Sequence, residues 1–300
     1  MKAIGFYLTL PLIYLISILP FPILYLLADV VYVILFYVTG YRKKVVYENL
    51  RKAFPQKSTE EIDRVAKDFY HNLSDMLLET FKMLTISGEN LKKRIRFVDT
   101  GIYYELKEEG CKGIVVIMSH QFNWEWSNPS TSLHLPDLKI QGLYKKLSNP
   151  YFEKFIYKMR IRFGTNMIPV EHTFREMLRN SKNQFTVTAF VGDQTPSDVK
   201  NAYWTTFLNQ DTPVFRGTEQ VALKLKMAVI FGTIKKTGRG YYEIYQELLT
   251  KDVSAMKTDE LTELHTRKLE EVINTDPASW LWSHRRWKHK KPDYFFDSGK

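Results

Sequence analysis

The residues with the clearest capacity for chemistry lie in Ser119-His120-Gln121-Phe122-Asn123-Trp124-Glu125. Four residues separate the imidazole of His120 from the carboxylate of Glu125, across what reads as a strand-to-helix turn. At that spacing the carboxylate can reach back to one ring nitrogen. It would fix the tautomer and stabilise the imidazolium, leaving the other nitrogen to take a proton from a hydroxyl. This is the orienting logic of a catalytic triad in which the substrate supplies the alcohol. The plainer reading is a structural histidine beside a glutamate. A zinc site would need further ligands, but His172, His265, His284 and His289 are scattered without metal spacing. A serine hydrolase would want a Gly-x-Ser-x-Gly elbow, and the sequence contains none.

The surrounding pattern indicates what must hold these groups. Short apolar runs rich in β-branched residues occur at 113–118, 139–144, 185–191 and 228–234, with a further candidate at 241–246. Helix-like segments lie at 45–54, 59–85, 150–163 and 217–226, and Ser58-Thr59 followed by Glu60 and Glu61 reads as a helix start. Alternation of strand and helix predicts an α/β fold with a largely parallel central sheet flanked by helices. In such sheets ligand sites gather at the carboxyl ends of strands. The rule selects Ser119-His120, Lys145-Lys146 and Gly192-Asp193-Gln194.

The chain has 300 residues, 44% hydrophobic and 25% charged, with a net charge of +10. These proportions fit a folded globular protein and exclude a disordered or collagen-like one. A single cysteine, Cys111, excludes an intramolecular disulfide framework. The first 41 residues carry one cation and one anion, so the excess charge belongs to the rest of the chain. Residues 4–38 include 28 hydrophobic positions, with Pro11, Pro20 and Pro22 interrupting the first half. The cleaner run, 23–38, would span ~24 Å as a helix, a little less than the ~30 Å hydrocarbon core. The whole stretch 4–38 is too long for a usual signal peptide and no small-x-small cleavage site follows it; a buried core helix hairpin is the plainer alternative, against which stands the lack of a polar face over 35 residues. Tyr41-Arg42-Lys43-Lys44 comes next, and basic residues after an apolar span favour a cytoplasmic location for the domain beyond it. The expectation is a membrane anchor over 1–41 and a catalytic domain over 42–300. Near the other end, Trp280, Trp282 and Trp287 among Arg285, Arg286, Lys288, Lys290 and Lys291 suggest a membrane-surface arrangement. The same composition can stack on single-stranded nucleic acid. With no nucleic-acid motif beside it and an apolar segment at the N-terminus, lipid is the better partner; a partly buried final helix or strand with a frayed basic tail is the structural alternative.

Four ordered features give the chain a family resemblance. They are the N-terminal apolar segment; His120-Gln-Phe-Asn-Trp-Glu125 behind its strand; Gly192-Asp193-Gln194 followed by Thr206-Phe207-Leu208 and Pro213-Val214-Phe215-Arg216-Gly217-Thr218; and Trp280-Leu281-Trp282-Ser283-His284-Arg285-Arg286-Trp287-Lys288. Together they resemble the late lipid A (lauroyl/myristoyl) acyltransferases of Gram-negative bacteria, within the His-x4-Asp/Glu acyltransferase superfamily. The resemblance implies transfer of an acyl chain from acyl carrier protein to a hydroxyl of a lipid A precursor. It places the reaction at the cytoplasmic face of the inner membrane, with no metal, no cofactor beyond the carrier thioester and no covalent acyl-enzyme. His120 would be the general base and Glu125 its orienting partner. Arg160 matches an arginine expected to hold phosphate or the reacting carbonyl, and Asp193 an aspartate of the site. Arg216, at a helix start where Gly217 permits close approach, could grip a phosphate. Lys145 could bind substrate phosphate or the acidic carrier, and Asn123 and Gln194 complete the candidate binding set. Solvated charges for Arg160 and Lys145, an external salt bridge for Arg216, and a helix cap for Asp193, are the structural alternatives. Phe122 stands where many relatives have Gly, and Leu208 where they have a second Phe, which leaves the acyl length open. Transfer to another membrane lipid, or a non-catalytic membrane-surface role, would use the same features.

Overall fold

The computed structural model describes residues 2–292. The chain begins with α1 (Lys2–Ile18) and α2 (Phe21–Val33), the latter extended by a π-helical turn over Ile34–Val38. Next come α3 (Lys43–Ala53), α4 (Thr59–Lys82), α5 (Gly88–Arg94), β1 (Ile95–Phe97), α6 (Gly101–Glu108), β2 (Ile114–Met118) and α7 (Trp124–His134). The middle of the chain forms β3 (Lys139–Tyr144), α8 (Pro150–Arg160), β4 (Asn166–Pro169), α9 (Thr173–Ser181) and β5 (Thr186–Val191). After them lie the hairpin β6 (Tyr203–Phe207) and β7 (Gln210–Val214), then α10 (Gly217–Leu225), β8 (Ala228–Gly238), β9 (Tyr241–Thr250) and α11 (Glu260–Thr275).

Seven strands form one sheet in the order β1-β9-β8-β2-β5-β3-β4. All neighbours are parallel except β8 and β9, which form an antiparallel hairpin. The expected α/β fold with a mostly parallel sheet is therefore present. β2 is buried on both faces, as parallel strands between helical layers are. Its side chains alternate between two cores. Val115 and Ile117 join Phe190, Val229 and Phe231 on the side of α4, α10 and α11. Ile114, Val116 and Met118 join Val187, Ala189 and Ile230 on the side of α5, α6 and α7. β2 and β5 pair in register from Ile114↔Val187 to Met118↔Val191. Two residues beyond that last pair, His120 and Asp193 leave the sheet at the same height.

The N-terminal segment is two helices, divided at the prolines, with two unlike faces. The inner face packs on α4, where Leu24 and Ala28 are fully buried against Leu78. The outer face is open, with Leu8 75%, Leu26 67% and Val38 73% exposed. The stretch Phe21–Val38 is 18 residues long and apolar enough to cross a membrane. Lys82 Nζ donates to the carbonyls of Ser17 (2.8 Å) and Leu19 (2.6 Å), satisfying the end of α1. Farther along, Arg239 donates to Asp29 of α2 (2.6 Å) and to Asp75 of α4 (2.7 Å). The start of α4 carries a reciprocal cap, with Glu61 N donating to Ser58 Oγ and Ser58 N to the Glu61 carboxylate.

At the other end of the chain the structure departs from expectation. Trp280 and Trp282 are core residues, 2% and 0% exposed, and do not form a membrane-surface belt. Their rings pack edge to face at 4.9 Å, while Phe207 and Phe54 pack edge-on against Trp280 and Trp282 respectively. Large aromatic area is worth more against these rings than at a headgroup boundary. Arg286 is likewise buried, leaving Arg285, Lys288 and Lys290 exposed.

Arg239→Ala leaves the buried Asp75 carboxylate with only Lys236 beside it and frees α2 from its polar tie. Part of the pair faces solvent, so we expect a loss of about 2 kcal/mol. That should appear as a melting temperature lowered by several degrees in a thermal scan; an unchanged midpoint would show that the tie contributes nothing.

Candidate active site

The matched ends of β2 and β5 bring an imidazole onto a carboxylate. His120 Nδ1 lies 2.5 Å from Asp193 Oδ1, and the His120 backbone N–H donates to Asp193 Oδ2 at 2.9 Å. Trp280 Nε1 donates to the same oxygen at 2.7 Å. The Asp193 side chain is 3% exposed, and the ring keeps an edge open at 17%. Burial alone would push the Asp193 pKa up. The charge and hydrogen bond of His120, with the backbone and indole donors, pull it down to about 2. Burial likewise pulls the His120 pKa down, but Asp193 overrides it by charge and hydrogen bond, with Glu125 adding to the effect; the net direction is above the ordinary histidine value.

These partners settle the tautomer. An ionised carboxylate only accepts, so Nδ1 carries the proton. Gln194 Nε2, an amide donor, lies 3.2 Å from His120 Nε2, so Nε2 presents its lone pair. The His120 residue borders a cleft of about 210 Å³, lined by Phe69, Leu73 and Met76 of α4 with Trp124 and Leu281. The ring also meets Trp124 edge to face at 4.9 Å. A base with a fixed tautomer beside an apolar cleft can deprotonate a hydroxyl held there.

Glu125 does not contact His120. It sits in the first turn of α7 and takes both nitrogens of an arginine fork, Arg160 Nε at 3.0 Å and Nη2 at 2.6 Å. The guanidinium offers two parallel donors, which matches a carboxylate better than one imidazole nitrogen does. Arg160 is thus brought next to the His120 loop from the end of α8, and its charge opposes that of Glu125 at the ring. Asn123, grouped with the binding residues from sequence, is fully buried in structural bonds. Its Oδ1 caps α7 through Trp126 N (3.1 Å), and its Nδ2 donates to Glu79 (2.7 Å). The loop between His120 and α7 turns through Phe122, whose φ of 42° lies in the left-handed region. A glycine would adopt that conformation without the Cβ penalty. The Phe122 ring is buried and held near Tyr242, and its N–H donates to Ser279 O at 2.9 Å.

The remaining predicted residues lie apart from the cleft. Lys145 is exposed at the end of β3, which β5 separates from β2. Arg216 pairs with Asp259 at 2.6 Å and lines a different groove, beside α10 and α11. At Gly217 a Cβ would meet the Phe215 ring at 2.1 Å, so ring packing demands the glycine without any ligand. Trp280 is the residue the sequence reading misplaced, since its indole serves Asp193. The pairing of Gln121 with Trp280 across an isolated bridge brings the segment to the His120 loop.

An α/β sheet with a carboxylate-held histidine at a strand end, bordered by helices with open apolar faces, has the parts of an enzyme site beside an apolar surface. The model of the bacterial lipid A biosynthesis acyltransferases matches residues 1–289, and the chain belongs to that family. It is similar to the lipid A biosynthesis palmitoleoyltransferase of Escherichia coli (strain K12), 23% identical over 251 residues, covering 82% of this chain and 79% of the relative. The lipid A biosynthesis acyltransferase of Shigella flexneri matches at the same identity and coverage. The protein is an acyltransferase.

The two carboxylates should respond differently to neutralisation. Asp193→Asn removes the charge that raises the His120 pKa, so burial wins and the acid limb of kcat/KM moves to lower pH. Turnover should fall ~10²–10⁴-fold as the tautomer is lost. Glu125→Gln should move the limb less and in the same direction, because its carboxylate faces Arg160. A pH–rate series on both variants checks the order; a larger shift for Glu125→Gln would reverse it.

Proposed function

We propose that the protein is an acyl carrier protein-dependent O-acyltransferase acting on a hydroxyl of a lipid A precursor. The observation that carries this reading is His120 at the edge of the cleft, its ring fixed there by the buried, ionised Asp193. An acceptor hydroxyl entering the cleft displaces the Gln194 amide from Nε2. His120 takes its proton while the oxygen attacks the thioester carbonyl. When the tetrahedral centre collapses, the C–S bond breaks and the carrier thiol leaves with the proton from His120. Asp193 stabilises the imidazolium in between. Arg160 and Glu125 form the charged rim of the same loop, where the cation can face a substrate phosphate or the developing oxyanion. The exposed Lys145-Lys146 pair and the net charge of +10 favour an acidic carrier.

The same reading seats the protein on the cytoplasmic side of the inner membrane, with the basic run Tyr41-Arg42-Lys43-Lys44 behind the apolar segment. Helices α1 and α2 lie along the lipid boundary with their outer faces immersed. Tyr25 donates to Glu79 at 2.8 Å and Asp29 is bound to Arg239, so α2 is tied to the folded body along its length. A helix held sideways in this manner presents one face to lipid, as an interfacial helix does.

Full-length protein given carrier thioester and a lipid A precursor should form the acylated product. His120→Ala should abolish that product while the thermal midpoint is retained, and turnover persisting in a folded His120→Ala variant refutes the base. Product from a glycerolipid or glycolipid acceptor, and none from the lipid A precursor, would redirect the substrate assignment. Replacing Leu8, Leu12 and Leu15, all more than half exposed, with Asp should cut co-flotation with anionic vesicles at least ~10-fold. Undiminished flotation would remove α1 from the lipid contact.

A further inference from the structure

The block Trp280–Lys288 carries a cation that the proton transfer does not use. Several bonds hold this segment in place. Asn49 donates to the carbonyls of Trp282 (2.9 Å) and His284 (3.0 Å), and Thr195 Oγ1 donates to the carbonyl of Arg286 (2.7 Å). The Thr195 N–H donates to His284 Nε2 at 3.2 Å. The Arg286 side chain is thereby driven inward, and the residue is 3% exposed. Its Nη2 donates to Pro213 O at 2.8 Å, while Nε and Nη1 have no hydrogen-bond partner among the described residues. No carboxylate among the described residues lies within ion-pair distance of it. A buried guanidinium left in that state is strongly unfavourable unless something compensates its charge.

The compensation is across a partly open cleft behind the active site. Arg286 and Asp193 both line it, between apolar walls that include Ile117, Phe231 and Leu269. Ser119 Oγ and His265 Nε2 border the same space without protein partners. Buried polar atoms facing a common space are the setting in which ordered water bridges groups too far apart to touch. Asp193 already accepts three donors from the other direction, from His120 and Trp280. We propose that Arg286 is a positioning residue for the Asp193–His120 pair, holding the carboxylate from behind by its charge across this cleft. The proposal rests on His120 being the base.

Few charged or titratable groups surround the pair. At His120 they are Asp193 beyond β5, Glu125 of α7, Arg160 of α8 and His284 of the C-terminal segment. At Arg286 they are Asp193, His284, and His265 of α11. His284 and His265 are both held neutral: burial pushes each to about 4, with the Arg286 charge adding to the effect on His284. Among the described residues, Asp193 is therefore the one anion that faces Arg286. Without the cation behind it, more of the Asp193 field falls on the imidazole, and His120 holds its proton more tightly.

Arg286→Gln in the full-length protein should raise the His120 midpoint by about half to one pH unit, read from the ¹³Cε1 resonance of labelled histidine. Arg286→Lys, which keeps the charge on a shorter reach, should raise it less. A His120 midpoint unchanged in a folded Arg286→Gln variant overturns the proposal, since a purely structural arginine would alter stability alone. If that variant does not fold, the unmodified protein gives the answer. The Arg286 Nε resonance should titrate with the His120 midpoint, because protonation of the ring changes the pair's net charge. A flat Arg286 trace through that midpoint overturns the proposal. Neither measurement uses an acyl donor or acceptor, so a failed substrate assignment cannot imitate either result.

Discussion

The register of two neighbouring parallel strands is the constraint on which the site depends. β2 and β5 pair residue for residue up to Met118↔Val191. A slip of one residue would turn His120 and Asp193 to opposite faces of the sheet. The register is protected by burial on both faces, since any shift would also exchange the two cores that β2 feeds. The contact at 2.5 Å is thus a product of sheet assembly, and local flexibility of the loop contributes little to it. Trp280 and the His120 backbone N–H complete the coordination of the carboxylate, so a burial that would neutralise an isolated Asp leaves this one charged.

Beyond this pair, several arginines have a defined counterpart. Arg160 engages Glu125 with two hydrogen bonds, Arg239 engages Asp75 and Asp29, and Arg216 engages Asp259. Glu79 is fully buried and accepts from Tyr25, Tyr242 and Asn123; burial, resisted by these donors, raises its pKa. Asn123 therefore relays the position of α4 to the start of α7. The loop that carries the base is set by buried polar bonds on one side and by the aromatic C-terminal segment on the other.

Much of the fold could be read from the sequence because its strands are apolar on both faces and long enough to stand out. β1 and β4 escaped because they are three and four residues long, and Arg96, Asn166 and Pro169 dilute their pattern. The β6–β7 hairpin escaped because its turn, Leu208-Asn209, adopts positive φ at both residues without a glycine to announce it. At the site, strand-end logic selected both His120 and Asp193, but spacing along the chain paired the histidine with Glu125. Proximity in sequence is a poor guide there: the fork of Arg160, 35 residues away, outcompetes the ring for that carboxylate. The tryptophans of the C-terminal block were misread for a related reason. Composition shows that Trp and Arg alternate, but not that Trp280 and Arg286 point into the protein.

Helix α4 has two occupied sides. Phe69, Leu73 and Met76 form a wall of the cleft, while Asp75, Leu78, Glu79 and Lys82 receive the N-terminal helices. At 100° per residue these sets are centred roughly a third of a turn apart. One rigid rod, ~10 Å across, therefore lies between the cleft beside His120 and the N-terminal helices with their open apolar faces. If those helices lie on lipid as proposed, an amphiphile need only lift its polar end by that thickness to reach the cleft, and its tails can stay where they are.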